Sequence, residues 1–225
     1  MPVRALMLVA LLALGALRAS AGDDVRCRDD AMLVFDASGS MAGTDMNAVR
    51  PHIATVREAL GTVLPEVTPR RDLGLMVYGP GPHASCKNIE LRLKPGANSA
   101  AAIMHEVNAL VPAGQTPLTA AVREAAEELR FRDKPAVVVL LTDGEESCSG
   151  DPCAMARKLR NEASNLTIHV IGFKVRGSTW LKPELGSQCM AEETGGLSIT
   201  ARDKDQLVDA LRETLTCPLF SRADQ

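Results

Sequence analysis

The sequence predicts an α/β fold: a doubly wound, Rossmann-like open sheet of six strands, mostly parallel with one antiparallel edge strand, and helices on both faces. Three observations predict it. Short apolar runs alternate along the chain with longer segments whose apolar residues recur at helical spacing. Two of the runs, 31–35 and 137–141, are apolar at every position, as strands covered on both faces must be. Helix caps and turn formers punctuate the alternation, with Asp151-Pro152 and Asp203 as the clearest helix starts.

Residues 31–35 form the first strand. A helix over 47–64 follows, with Val49, Ile53, Val56, Leu60 and Leu64 on one face and Pro51 near its start, where a missing N–H is tolerated. Residues 73–78 make the second strand, and Gly79-Pro80-Gly81-Pro82 breaks the chain into a loop. Residues 89–93 alternate apolar and polar, the pattern of an edge strand, here pairing antiparallel with the second. Asn98 or Ser99 caps a helix carrying Ile103, Val107 and Leu110. Thr116 and Pro117 then serve as N-cap and first residue of a helix that turns Leu118, Val122, Ala125 and Leu129 inward. After the strand at 137–141, a helix runs from Asp151-Pro152 to about 163, a strand over 166–173, a helix over 181–193 and a last strand over 197–200. Asp203 caps a final helix carrying Leu207, Leu211 and Leu215.

The first residues describe a leader. Arg4 precedes an apolar run over 5–17, and Ala19-Ser20-Ala21 offers a small-residue cleavage site, so 1–21 are expected to be a signal peptide. The run is too short to span a bilayer, and no later segment is apolar enough to do so. The expected mature chain is a single domain over 22–225, exported to a periplasm or secreted. A formal charge of −3 with no basic stripe argues against nucleic acid, and an aromatic content of 3% leaves few platforms for stacking bases or sugars. Six cysteines, Cys27, Cys86, Cys148, Cys153, Cys189 and Cys217, are an even number in an exported chain and are candidates for disulfides. The spacing between Cys148 and Cys153 is not a usual zinc spacing.

The chemistry concentrates in Asp36-Ala37-Ser38-Gly39-Ser40, directly after the first strand. In open α/β sheets ligands bind beyond the carboxyl ends of strands. Asp and Ser there are hard oxygen donors, the type that Mg²⁺ or Mn²⁺ prefers, and the loop glycine lets the backbone fold tightly around an ion. An ordinary turn would also suit these residues, since Asp and Ser bond readily to nearby backbone.

This segment resembles the metal-ion-dependent adhesion site of von Willebrand factor type A domains, whose motif is Asp-x-Ser-x-Ser. That family takes a Thr and an Asp from two later loops. Gly114-Gln115-Thr116-Pro117-Leu118 is similar to the first loop, and Val137 to Leu141 followed by Thr142-Asp143-Gly144 is similar to the second. The resemblance covers roughly residues 30 to 216 and is of a bacterial, exported type. It implies the strand order 3-2-1-4-5-6, which makes the first and fourth strands neighbours and brings Asp36 and Asp143 together at the switch point. It implies a metal held by Asp36, Ser38, Ser40, Thr116 and Asp143. Mg²⁺ is the expected ion, with Mn²⁺ or Ca²⁺ as alternatives, and one position stays open for an exposed Asp or Glu of a protein partner. In that topology Cys27 and Cys217 lie together at the end opposite the metal loops. Of the three pairings left for the other four, Cys86 with Cys148 and Cys153 with Cys189 is the one adopted.

The expected function is therefore a non-catalytic, metal-dependent protein-binding module. Two alternatives stand beside it: a Mg²⁺-dependent phosphoryl-transfer hydrolase with an aspartyl intermediate, and a structural accessory domain whose metal stabilises its loops. Phosphatases of the first kind want a second Asp two residues after the nucleophile, where this chain has Ser38. No Gly-x-Gly-x-x-Gly follows the first strand, which argues against a dinucleotide site. His52, His83, His105 and His169 show no partner spacing and are read as structural or exposed. Glu145 and Glu146 are read as a solvated rim, and Asn165-Leu166-Thr167 fits the glycosylation acceptor pattern.

Overall fold

The structure is a computed structural model that describes residues 27, 29–44, 50–81, 85–174 and 186–217. The expected signal peptide, the start of the helix placed over 47–64, His83 and residues 181–185 of the helix placed over 181–193 lie outside the described residues; the described part of that last helix begins only at Gln188.

The six strands are β1 (Asp30–Asp36), β2 (Leu73–Tyr78), β3 (Ile89–Gly96), β4 (Ala136–Thr142), β5 (Leu166–Phe173) and β6 (Ser198–Ala201). They form one sheet in the order β3-β2-β1-β4-β5-β6, as the family resemblance implies. All neighbours run parallel except β2 and β3. The helices are α1 (His52–Val67), α2 (Ala100–Ala109), α3 (Leu118–Glu128), α4 (Pro152–Glu162), α5 (Gln188–Thr194) and α6 (Lys204–Leu215).

Strand alternation builds two cores. Leu33 and Phe35 of β1, with Val139 and Leu141 of β4, face a layer packed by Val56, Leu60 and Leu64 of α1 and Leu207 and Leu211 of α6. Met32 and Val34 of β1, with Val138 and Leu140 of β4, face Val122 and Ala125 of α3 and Leu159 of α4. Both central strands are therefore apolar between their polar ends, over 31–35 and 136–141, since each of these residues is buried on one side or the other. A fully buried Leu, Val or Phe contributes roughly 1.5–3 kcal/mol of transfer free energy. The hydrophobic faces of the central strands are thus the main determinant of the topology.

The edge strand β3 is half-exposed and extends to Gly96, further than the alternation at 89–93 marks. Its pairing with β2 shifts register near Gly74, and Pro95 sits in it, which only an edge strand tolerates. A part-buried guanidinium-to-carbonyl tie fixes α2 against α1. Arg57 Nε and Nη2 donate to the carbonyls of Val107 and Leu110, 3.1 and 2.8 Å away, at the C-terminal end of α2. A bidentate pair between Arg212 and Glu66 joins α6 to α1 at the surface.

The starts of α1 and α3 differ from the sequence reading, and one turn is added to it. Helix α1 begins at His52, after Pro51, because Pro51 is extended rather than inside the first turn. Helix α3 begins at Leu118, with Pro117 in the cap position and no side-chain cap of its own. Thr116 thus stands one residue before the cap, free of the capping role assigned to it. A turn of 3-10 helix over Gly39–Ala42, which no periodicity signals, follows the Asp-Ser-Ser segment. Asp151 and Asp203 cap α4 and α6 as predicted, accepting from the N–H groups of Ala154 and Gln206.

Candidate metal centre

Asp36 is the last residue of β1, and Asp143 is the first residue past β4. Because Phe35 pairs with Leu141 across those strands, the two carboxylates emerge side by side at the same edge of the sheet. Both are buried, at 0% and 1% exposure. Ser38 is buried and Ser40 half-buried.

The oxygens of this group meet directly. Ser38 and Ser40 share a hydrogen bond between their hydroxyls at 2.9 Å, and Ser40 Oγ donates to Asp143 Oδ1 at 2.5 Å. The Ser38 N–H donates to Asp36 Oδ1 at 2.7 Å, so the loop closes on its own first residue. Thr142 Oγ1 donates to Asp36 Oδ2 at 2.7 Å. Four of the five predicted residues, Asp36, Ser38, Ser40 and Asp143, therefore form one connected cluster drawn from two loops.

Thr116 arrives by a third loop. The Gly39 N–H donates to the Gly114 carbonyl at 2.9 Å, and the Gly114 N–H donates to that of Gly79 at 2.9 Å. These bonds lock the loops after β1 and β2 to the segment before α3. Thr116 is 7% exposed, and its backbone N–H donates to Ser147 Oγ at 2.8 Å. Two glycines allow this crowding. Gly79 has φ +74°, and a Cβ there would lie 2.8 Å from Ser38 Cα and 2.7 Å from the Gln115 carbonyl oxygen. Gly39, by contrast, has no left-handed backbone; it matters for space, since a Cβ would lie 3.2 Å from the Ala113 carbonyl oxygen.

One neighbour of the cluster is not signalled by the sequence, which reads it only as structural or exposed. His52, at the first turn of α1, is 2% exposed and its Nδ1 lies 2.7 Å from Asp143 Oδ2. Its ring also meets Phe173 edge-on at 5.9 Å between centroids. Helix α1 is aimed there by its first N–H, which bonds the Gly43 carbonyl at 2.9 Å. Nothing in the local pattern around His52 signals a role, because its partner lies far away in sequence.

The acidic rim also corrects the sequence reading. Glu146 is not a solvated loop residue. Its Oε2 accepts from the Thr119 N–H at 2.8 Å and its Oε1 from the Cys148 N–H at 2.7 Å, so it caps α3 from a separate loop. Glu145 is exposed and accepts from the Gly186 N–H at 3.0 Å. Both carboxylates are thus held by backbone groups.

Electrostatics mark the centre as short of positive charge. Burial pushes the Asp36 carboxyl above its usual range, and the adjacent Asp143 charge raises it further, against the hydrogen bonds from Ser38 and Thr142. Burial likewise pushes the Tyr78 hydroxyl well above its ordinary range, with Asp36 the next cause, and that hydroxyl is buried without a well-aligned hydrogen-bond partner. Two buried carboxylates facing each other, with three hydroxyls at hand, fit a hard divalent cation. Among the described residues no three His, Cys, Asp or Glu side chains form a metal cluster, so such a site depends on the hydroxyls.

The cysteines are joined as Cys27–Cys217, Cys86–Cys148 and Cys153–Cys189. The second of these ties the loop after β2 to the loop after β4, beside the cluster. The third joins the first turns of α4 and α5.

The sequence profile of the von Willebrand factor type A domain matches residues 30–213. The chain belongs to this family. A curated relative of the A domain is the uncharacterised Bacillus subtilis protein YwmD, 30% identical over 190 residues that cover 79% of this chain and 81% of that one. Among solved structures, the A domain is similar to proximal thread matrix protein 1 of the mussel byssus, in a form whose metal-ion-dependent adhesion motif is occupied by zinc. That match has a TM-score of 0.61 at 20% identity and covers 86% of this chain and 46% of the mussel protein. It is also similar to the pilus adhesin SpaC of Lactobacillus rhamnosus GG, with a TM-score of 0.62 at 16% identity over 84% of this chain and 30% of that one. At these identities the likeness to the solved structures is one of fold. No helix among the described residues of the A domain is long and apolar enough to cross a membrane.

Proposed function

We propose that this A domain is an exported, non-catalytic module that binds a partner protein through a divalent cation. The ion would be held by Asp36, Ser38, Ser40, Thr116 and Asp143, and Mg²⁺ suits their charge and hardness best. The ion supplies a coordination position for a carboxylate, so the partner presents an exposed Asp or Glu. The observation that carries this reading is the pair of buried carboxylates, Asp36 and Asp143, converging with Ser38 and Ser40 at the end of the two central strands.

The chain's own residues have distinct tasks. Thr142 and the Ser38 N–H orient Asp36, each through one carboxylate oxygen. His52 orients Asp143 through Oδ2, leaving Oδ1 turned toward Ser40. The order Ser40–Asp143–His52 puts the carboxylate between hydroxyl and imidazole. A nucleophilic serine needs the imidazole in the middle, so this arrangement favours binding over acyl transfer. The three-disulfide framework agrees with an oxidising, extracytoplasmic location.

Titration calorimetry with Mg²⁺ and Mn²⁺ tests the metal, and capture of partners from the exported fraction with Mg²⁺ or chelator tests its use. Asp36→Ala is expected to abolish both metal uptake and Mg²⁺-dependent capture while the chain still melts cooperatively. Metal uptake or capture undiminished in that variant would refute the proposal.

A further inference from the structure

The end of the sheet opposite the metal centre holds a second chemical grouping. Cys27 stands just ahead of β1, Cys217 just past α6, and a disulfide joins them. Arg71, between α1 and β2, is 2% exposed. Its Nε donates to Cys27 Sγ at 3.0 Å, and its Nη1 is buried without a hydrogen-bond partner. Among the described residues no carboxylate lies within ion-pair distance of this guanidinium, and Asp29 acts on it from further away. A cavity of about 270 Å³ opens here. Its walls include Arg71, His169 and Cys217, together with the acids Asp29 and Glu213.

A disulfide sulfur is a weak acceptor, so a buried cation gains little from it. A thiolate in the same place would receive a charge-assisted hydrogen bond from Nε and could draw on the spare Nη1 donor. The guanidinium therefore favours the reduced pair over the oxidised one. It also makes Cys27 a good leaving group, since a leaving thiol of lower pKa departs faster. Among the described residues neither of the other two disulfides accepts a hydrogen bond from a guanidinium, although Arg123 and Lys158 line the same cavity as Cys86 and Cys148. The Glu146 carboxylate sits on the Cys148 N–H at 2.7 Å, where a thiolate would meet like charge. The sulfurs of Cys153 and Cys189 face the Gly186 carbonyl oxygen at 3.9 and 3.4 Å, a lone-pair environment that opposes a thiolate.

We propose that Cys27–Cys217 is a thiol-exchange site, opened by an external dithiol that enters the cavity and attacks Cys217 Sγ while Cys27 leaves as a thiolate held by Arg71. In the first step the dithiol's thiolate forms a bond to Cys217 Sγ, the Cys27–Cys217 bond breaks, and its electron pair leaves on Cys27. In the second step the reductant's other thiolate attacks the mixed disulfide, and Cys217 departs and takes up a proton. The chain gains two electrons, and the reductant departs as its own disulfide. Opening unclasps the entry of β1 from the exit of α6 and leaves the loops of the metal centre stapled by Cys86–Cys148.

The test is partial reduction of the oxidised full chain with dithiothreitol, acid quenching, alkylation and peptide mass spectrometry of all six cysteines. Cys27 and Cys217 are expected to label first, about tenfold faster than either other pair. Arg71→Met is expected to remove most of that lead, and Arg71→Lys, which keeps the charge, to retain part of it. Labelling of Cys27 and Cys217 together with or after the others in the wild type overturns the proposal, whatever the variants do. So does an Arg71→Met chain, shown folded by circular dichroism, that opens as fast as the wild type, because exposure alone would then explain the order.

Discussion

The imidazole of His52 fixes which face of Asp143 the loop presents, since Nδ1 holds one oxygen and Ser40 the other. Removing an outer-shell partner of this kind typically costs 10–100-fold in metal affinity. His52→Ala is therefore expected to weaken Mg²⁺ binding by roughly that factor in calorimetry. Asp36 offers a prediction of opposite sense. Its folded-state pKa is raised, so its ionised form opposes folding above that pKa and acidification relieves the penalty. In chelator at neutral pH, Asp36→Asn is expected to melt above the wild type, and added Mg²⁺ is expected to raise only the wild-type melting temperature. At this scale the sequence was legible where chemistry is local. Asp36, Ser38 and Ser40 announce themselves by spacing within one loop. The partnership of His52 with Asp143 depends on how α1 and β4 come together, and no local pattern encodes that.

The start of helix α3 shows what is lost when an element is read alone. Thr116-Pro117 looks like a self-sufficient cap, yet Pro117 occupies the cap position with no side-chain acceptor. The acceptor is Glu146, from the loop after β4. A helix end capped by a remote carboxylate couples that loop to the Thr116 segment. Glu146→Ala is expected to cost about 1–2 kcal/mol in urea unfolding, the usual worth of a lost cap plus an unpaired N–H. It is also expected to weaken Mg²⁺ binding through displacement of Thr116, which Asp151→Ala, at the cap of α4, should not do. The strands were more legible than the helix starts. A strand buried on both faces writes most of its length in apolar residues, as 31–35 of β1 and 136–141 of β4 do. Helix starts depend on caps supplied from elsewhere, and the 3-10 turn after Ser38 follows from bonds to neighbouring loops that carry no sequence period.

Across the whole molecule the sheet separates two ends. One carries the oxygen cluster, the other the Cys27–Cys217 clasp, with the length of β1 between them, on the order of 20 Å for its extended residues. On β5, in the wall of the cavity at the clasp end, His169 makes stability depend on pH. Its pKa is lowered from 6.5 to about 4, first by burial and then by the nearby charge of Arg71. The neutral ring is needed structurally, because Nδ1 accepts the Leu197 N–H at 3.0 Å, at the entry to β6. The unfolded chain binds a proton on this residue below its ordinary pKa while the folded chain resists until about 4. More protons are bound unfolded, so stability is full above pH 6.5 and falls as pH drops toward 4. The loss approaches, at most, about 3 kcal/mol. Urea unfolding in chelator at pH 7 and pH 4.5, for Asp36→Asn alone and combined with His169→Gln, isolates this residue from the opposing carboxylate. The expected outcome is a marked loss of stability at pH 4.5 in the single variant and a flatter profile in the double one. Equal slopes would mean that the acid sensitivity of the fold lies elsewhere than at the junction of β5 and β6.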